Sequence, residues 1–303
     1  MMSMKVKQNQ SDAKLAIILL LPAATLVIGL YFVPTLITFL MSFQKRDISA
    51  NLLEVIINIP NSTLDNYIRS FRDPDWVASF NQTLLLILIV TGLGITISLG
   101  IAILLSQEFR GRGFLRALVL IPWAVPPIVN GTTWTLIYHP QVGTLNALLS
   151  QLGLIDRYII WLLDPLLAIF SAGLAVTWRF IPFMTLFILA GLQTVQRELY
   201  ESAMVDGANF WQRFRHVTLP TIRPVLLTVI FMQIIWTTKV FDEIWALIKG
   251  GAAGTTVMNL WIYRQAFEFL RYGYGSALAY LLALFTSIVV IGYYYLVSKR
   301  SER

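Results

Sequence analysis

Residues 198–224 read ELYESAMVDGANFWQRFRHVTLPTIRP and form a polar, charged segment between two long apolar runs. A simple connection between helices needs only a few polar residues. This segment is longer and rich in helix-forming residues, and it is interrupted by Gly207 and ended by prolines. The pattern predicts two short helical pieces, the second of which stops at Pro220. Such a segment is typical of a surface that docks against a partner.

The first helical piece has one face that suits protein contact. On a helix that begins near Arg197, the residues Glu201, Val205 and Ala208 fall at i, i+4 and i+7. Gly207 and Ala208 are small and allow a close backbone approach or a sharp turn. An amphipathic helix resting on lipid headgroups would have a similar pattern. That alternative is disfavoured because the carboxylates of this piece would face an anionic leaflet.

The composition indicates a membrane protein. Of the 303 residues, 57% are hydrophobic and only 13% are charged, whereas a soluble domain carries about 25% charged residues. Six apolar runs reach the roughly 20 residues that a helix needs to cross the hydrocarbon core. We therefore predict an all-α polytopic membrane protein. The predicted spans are 15–39, 83–105, 114–138, 167–191, 223–247 and 278–297.

The distribution of lysine and arginine predicts that both termini are cytoplasmic, because cytoplasmic loops carry an excess of these residues. The short loop at 106–113 is rich in arginine, and this topology also accounts for the net charge of +7. The chain then divides into a cytoplasmic tail, a first span, an external loop, a five-helix core domain and a cytoplasmic tail. These parts are 1–14, 15–39, 40–82, 83–298 and 299–303.

No catalytic or metal-binding pattern is evident in the sequence. There is no GxxxxGK[ST] phosphate-binding loop and no cysteine. His139 and His216 fall on opposite predicted sides of the membrane, so they cannot share a metal ion or form a dyad. We therefore expect no catalytic residue, no metal and no cofactor in this chain.

The polar segment resembles the EAA signature of binding-protein-dependent ABC importer permeases, EAA-x3-G-x9-I-x-LP. In that family the segment forms coupling helices that sit in a cleft of the ATPase subunit. Ser202 replaces the middle alanine of the signature, a small change for a packed helix. The resemblance implies an ATPase-coupling segment at 198–220, whose residues are Glu201, Ser202, Ala203, Asp206, Gly207, Ala208, Leu219 and Pro220.

Other stretches are similar to the maltose-transporter-like carbohydrate branch of these permeases. Gln196 departs from the pattern, because many relatives have proline before the coupling helix. The resemblance implies the type I importer permease fold in a prokaryotic inner membrane. The similar stretches are Asn66-Tyr67, Asn81-x-Thr83, 121–134, 191–199 and 273–280.

The resemblance also implies partners. They are a second permease subunit, usually a different chain, two ATPase subunits that hold ATP and Mg²⁺, an external solute-binding protein, and a carbohydrate-like solute. Outer loops of the family contact the binding protein, which implies such a contact for Gly250, Gly251 and Gly254. A plain flexible connection would have the same composition.

Polar and aromatic side chains within the spans predict a substrate pathway, because such residues usually face a cavity or a partner helix. At 1.5 Å per residue, Arg179 and Gln233 would lie near mid-membrane, with Lys239 and Asp242 nearer the outer face. Contacts with a second permease subunit would explain the same residues, and Arg179 could instead lock two helices together. The candidates are Asn130, Trp134, Tyr138, Trp178, Arg179, Gln233, Trp236, Lys239, Phe241 and Asp242.

The predicted function is that of a permease subunit of an ATP-driven importer for a sugar, oligosaccharide or related polyol. The alternative is a secondary transporter or channel, which often has inverted repeats and discontinuous helices; a regulatory scaffold is a weaker third possibility. The sequence shows no evident repeat. It leaves the solute open, since glycerol-3-phosphate would favour Arg179 and Lys239, whereas a neutral disaccharide would rely on the tryptophans.

Overall fold

The computed structural model describes residues 2–44, 52–248 and 255–301. Apart from an isolated bridge between Gln44 and Ser62, these residues form helices and their connections. The α-helices are α1 (Met2–Val27), α2 (Val33–Ser42), α3 (Leu52–Ile57), α4 (Asp65–Ser70), α5 (Pro74–Ser106), α6 (Arg112–Ala124), α7 (Pro127–Ile137), α8 (Thr144–Gln151), α9 (Pro165–Leu192), α10 (Arg197–Val205), α11 (Phe210–Arg213), α12 (Leu219–Thr238), α13 (Asp242–Ile248), α14 (Met258–Tyr263) and α15 (Tyr272–Ser301). Short π-helical segments lie at Ile28–Phe32, Phe214–Thr218 and Arg264–Glu268.

Long apolar helices account for the predicted spans. The third predicted span corresponds to α6 and α7, which are bent by 94° at the prolines between them. When this pair is counted as one span, the prediction of six spans is confirmed. The five others are Ala13–Ser42, Pro74–Ser106, Pro165–Leu192, Phe210–Thr238 and Tyr272–Leu296.

The second span begins at Pro74 rather than at 83. Asp73 is the N-cap of α5, and its side chain accepts hydrogen bonds from the backbone N–H groups of Asp75 and Trp76. Pro74 occupies the first turn, where the missing N–H costs nothing. These charged residues look like a loop by hydropathy, but they are a helix start.

The predicted fifth span, 223–247, is wrong at its C-terminal end, because the helix stops at Thr238. The backbone is irregular at 239–241 before α13 begins. The Asn259 side chain donates to the Thr238 oxygen (3.1 Å), and the Val240 N–H donates to the Thr237 oxygen (3.2 Å). These bonds satisfy the helix end. The sequence prediction ran past the break to 247 because apolar residues resume after Lys239, Asp242 and Glu243.

The predicted helix stop at Pro220 is also wrong. The helix that starts at Phe210 continues through this proline to Thr238. The Leu219 N–H bonds to the Phe214 oxygen, an i→i−5 bond that closes a π-helical turn directly before the proline. The wider turn changes the backbone spacing at the place where an α-helix would clash with the proline ring.

Contacts divide the chain into two compact units, and the smaller one comprises Met1–Arg72 and Ile262–Leu281. In it, the buried Asn66 side chain donates to the backbone oxygens of Ser42 (3.1 Å) and Gln44 (2.9 Å). This asparagine therefore ties the end of α2 to α4. Its presence in the carbohydrate-permease pattern has a structural explanation.

The larger unit comprises Asp73–Trp261 and Leu282–Arg303. Its centre is the close pair α5 and α9. Glycines allow this approach, because a Cβ added at Gly94 or at Gly173 would collide with a side chain of the opposite helix. Small residues are the usual means of helix packing in membranes, where apolar burial adds little.

A similar close contact joins α7 to α13. A Cβ at Gly131 would lie 2.6 Å from the Glu243 carbonyl oxygen and 2.8 Å from the Ala246 Cβ, whereas one at Gly100 in α5 would meet nothing within 4 Å. We expect Gly131→Ala to destabilise the protein by about 1–3 kcal/mol. The matched variant Gly100→Ala should be neutral or stabilising by up to about 1 kcal/mol.

Thermal unfolding of the two purified variants in detergent measures this difference. Equal unfolding temperatures for both alanine variants would contradict the proposed close packing of α7 on α13.

Candidate functional site

The bend between α6 and α7 and the irregular backbone after α12 meet at one pocket. Pro127, at the start of α7, lines it together with the irregular residues 239–241 that follow α12. Non-helical backbone at membrane depth is tolerated only where it is buried in protein or lines a cavity. The pocket has a volume of about 210 Å³. Its lining residues are Pro127, Arg179, Phe180, Trp236, Lys239, Val240, Phe241, Asp242 and Glu243.

The pocket brings together five of the ten sequence-predicted pathway residues, which are Arg179, Trp236, Lys239, Phe241 and Asp242. The helix ends at Thr238, so the residues after it do not continue its rise, and Lys239 and Asp242 line the same pocket as Arg179. The expected depths of these residues in the membrane stay a prediction.

Three other candidates are buried away from the pocket lining, each with about 1% of its surface exposed. The Asn130 side chain donates to the Ala175 oxygen (3.0 Å), and the Tyr138 hydroxyl donates to the Ser171 oxygen (2.9 Å). Both bonds tie α7 and its C-cap to α9. The Gln233 amide donates to a threonine hydroxyl within α12. In this conformation Asn130 and Tyr138 hold two helices together, whereas the Gln233 bond stays within one helix.

The two remaining candidates belong to an aromatic cluster. Trp134 and Trp178 meet edge to face with ring centroids 6.3 Å apart, and Trp134 also contacts Tyr138 at 5.2 Å. Trp178 is 37% exposed. Such contacts stabilise helix packing, and a role for these residues in the pathway stays a prediction.

Glu243 is a site residue that the sequence prediction missed. The Arg179 Nε donates to the Glu243 Oε1, and the two side chains are 12% and 2% exposed. The guanidinium carbon also lies 4.3 Å from the centroid of the Phe180 ring. A buried acid in an apolar run requires a partner. A search for the counter-ion of Arg179 could have found it.

Flat aromatic faces border the charged groups. Trp236 stacks on Phe180 with centroids 5.6 Å apart, and Phe241 stacks on Trp245 at 5.9 Å. The pocket thus combines apolar ring faces with hydrogen-bonding groups. This combination can hold a small ring-shaped solute by stacking while its polar groups accept or donate hydrogen bonds.

The polar segment of the sequence forms a helix–turn–helix. After α10, the Gly207 N–H bonds to the Met204 oxygen (3.0 Å) and the Ala208 N–H bonds to the Ala203 oxygen (2.9 Å). This pair of bonds is a Schellman motif. Gly207 has φ +76°, and a Cβ there would meet nothing within 4 Å. Within the chain, its role is therefore the left-handed turn and not a close approach.

Because α10 ends at Val205, the expectation that Ala208 shares a helical face with Glu201 is wrong. The next helix starts with a capping box, in which Asn209 and Gln212 satisfy each other's backbone N–H groups at 2.9 and 2.7 Å. A hydroxyl contact of 2.8 Å between Tyr200 and Thr218 joins the two helical arms. The turn is therefore rigidly built.

Large apolar side chains project from this turn, since Val205 is 87% and Trp211 is 72% exposed. The predicted coupling residues lie along the same segment. Exposed members are Glu201, Ser202, Asp206, Gly207 and Pro220, and half-buried members are Ala203, Ala208 and Leu219. Gly250, Gly251 and Gly254, predicted to contact a binding protein, lie outside the described residues.

Comparison with known proteins identifies the class. Residues 92–302 match the family described as binding-protein-dependent transport system inner membrane component. The chain belongs to this family and is a multi-pass inner membrane protein. The resemblance found in the sequence is confirmed.

Individual relatives agree with this assignment. The chain is 36% identical over 287 residues to the trehalose/maltose transport system permease protein MalF of Thermococcus litoralis, covering 95% of this chain and 93% of the relative. It is 33% identical to the sulfoquinovosyl glycerol transport system permease protein SmoG of Agrobacterium fabrum, covering 93% and 90%. A bacterial ABC transporter for import of the acidic polysaccharide alginate has a chain with the same fold, with TM-score 0.81, 20% identity and coverage of 97% and 99%.

The Arg179–Glu243 pair generates a stability prediction. Glu243→Leu leaves a buried guanidinium without its counter-ion, and we expect it to destabilise the protein by about 3–5 kcal/mol. The double variant Arg179→Met/Glu243→Leu should recover most of this loss, because no buried charge remains. Unfolding in detergent measures both. A double variant as unstable as the sum of its single substitutions would contradict the pairing.

Proposed function

We propose that the chain is one transmembrane subunit of an ATP-driven importer for a sugar, an oligosaccharide or a related polyol. It receives solute from an external solute-binding protein and pairs with a second permease subunit. Two ATPase subunits bind ATP and Mg²⁺, and this chain contributes neither a cofactor site nor a catalytic residue. Both termini lie on the cytoplasmic side with the ATPases.

The observation that carries this proposal is the exposed helix–turn–helix with its signature spacing. A rigid turn with an apolar tip, such as Val205 and Trp211 at 87% and 72% exposure, favours contact with a protein partner, because exposed apolar patches mark interaction sites. Glu201 and Asp206 flank the tip and supply charged contacts to the ATPase. A helical bundle of this kind has no energy source of its own, so it needs that partner.

One helix links the turn to the pocket. The helix Phe210–Thr238 has 29 residues and a length of about 43 Å at 1.5 Å per residue. It begins directly after the turn, and Trp236 near its far end lines the pocket. Movement of a docked turn with the ATPase would therefore move the pocket wall as a rigid body, which supports alternating access.

A carbohydrate solute is supported by two independent observations. The relatives above are named for trehalose and maltose and for sulfoquinovosyl glycerol transport. The pocket combines stacked aromatic faces with hydrogen-bonding groups, which suits sugar rings and their hydroxyls.

The alternative of a secondary transporter is less well supported. A bent helix pair is present here, so a discontinuous helix does not separate the two functions. The family membership and the exposed turn favour the importer, since an ion-driven transporter has no use for an ATPase dock. Co-purification with an ATPase and vanadate-sensitive uptake are expected; uptake that ignores vanadate and follows an ion gradient would support the alternative.

Gly207→Asp tests the turn. The residue Gly153, between α8 and α9, is a matched control because it also has positive φ (68° against 76°) and open space for a Cβ. We expect Gly207→Asp to assemble in the membrane but to lose at least about tenfold in ATPase activity stimulated by the loaded binding protein, equal to ~1.4 kcal/mol. Gly153→Asp should retain that activity.

Both variants have the same backbone cost, so a difference between them reports docking and not folding. Normal assembly with wild-type stimulated ATPase activity in Gly207→Asp would refute the coupling role of the turn.

A further inference from the structure

The charges of the ionisable groups that line the pocket sum to zero. They are the cations Arg179 and Lys239 and the anions Asp242 and Glu243. We infer that the pocket selects an uncharged sugar-like solute and discriminates against anionic ones, with Glu243 as the positioning residue that neutralises Arg179. This inference rests on the proposed function, because it takes the pocket as the solute site.

Arg179 is not free to act as an anion receptor. Its Nε already donates to Glu243, whose side chain is 2% exposed and therefore fixed in place. A phosphate or carboxylate that approached the guanidinium would also approach this buried carboxylate. Repulsion between like charges is strong where water is excluded. The pair thus removes the attraction that a lone arginine would have for an anion.

The same pair leaves hydrogen-bond donors for a neutral solute. A guanidinium has five N–H donors. For Arg179, only the Nε–H has a hydrogen-bond acceptor among the described residues, which is Glu243. Phe180 packs against the plane of the group, with the carbon 4.3 Å from its ring centroid. Glu243 and Phe180 therefore orient the terminal Nη groups. Sugar hydroxyls can accept from them without bringing a charge.

The remaining charged residues are exposed and opposite in sign. Lys239 and Asp242 both lie at the break after α12, so their fields partly cancel at the pocket. The alginate importer, which has the same fold, takes up an acidic polysaccharide. At 20% identity the likeness shows the fold alone, so a charge preference of this chain depends on its own side chains, and these four are the charged ones that line the pocket.

The test uses the assembled importer in lipid nanodiscs without its binding protein. The probes are radiolabelled trehalose and, as competitor, trehalose in which one CH₂OH is oxidised to a carboxylate. For the wild type we expect the carboxylate derivative to bind at least about tenfold more weakly than trehalose. One unfavourable charge interaction of ~1.4 kcal/mol is enough for a tenfold difference. Equal binding of the two sugars would overturn the inference.

Charge variants then locate the cause. Glu243→Gln gives the pocket a net positive charge and should reduce the preference at least about threefold. Asp242→Asn makes the same change at an exposed side chain, so it remains informative if Glu243→Gln fails to fold. Arg179→Gln/Glu243→Gln restores neutrality and should keep the preference while trehalose binds more weakly, because the Nη donors are lost.

Gly153→Asp adds a charge away from the pocket lining and should leave the ratio unchanged. An unchanged ratio in Asp242→Asn and in any folded Glu243→Gln protein would overturn the inference. So would a complex that binds neither sugar but still hydrolyses ATP in response to its binding protein. Loss of that ATPase response in the wild-type complex would instead count against the proposed function, so the two failures are distinguishable.

Discussion

A break in a helix within hydrocarbon leaves backbone groups that only the protein can hydrogen-bond. The bend between α6 and α7 and the irregular backbone between α12 and α13 shape the larger unit of this chain. The protein accommodates them together, because Pro127 and residues 239–241 line one pocket. Gly131 allows α13 to approach α7, and the Arg179–Glu243 pair fastens α13 to α9. Packing thus holds the irregular backbone in place, and this irregular backbone forms part of the pocket wall.

The second consequence is mechanical. A single helix, Phe210–Thr238, begins at the exposed turn and ends at the pocket. The Schellman motif at Gly207 and the capping box of Asn209 fix the direction in which the turn projects. A partner that grips the turn would act on the pocket wall through this helix. In the proposed coupling, this helix alone is enough to transmit movement from the turn to the pocket.

The sequence predicted much of this because its signals are local. The fourth span, predicted at 167–191, is the helix Pro165–Leu192, and the signature spacing around Gly207 identified the family. The predictions that were wrong or incomplete concern features that tertiary contacts determine. The charged residues Lys239, Asp242 and Glu243 follow Thr238, but apolar residues resume after them, so the predicted span ran on to 247. The π-turn before Pro220 has no composition of its own. Glu243 was missed because its importance depends on Arg179, 64 residues away.

The most direct test of the central claim is site-specific photo-cross-linking of the turn within the assembled complex. The chain has no cysteine, so a single introduced thiol can carry the photoreactive label. Val205→Cys lies at the tip of the turn, and Val142→Cys is a control of similar exposure, 77% against 87%, away from it. We predict that the label at Val205 cross-links to the ATPase subunit and the label at Val142 does not. Absence of an ATPase adduct at Val205, or equal adducts at both positions, would contradict the account.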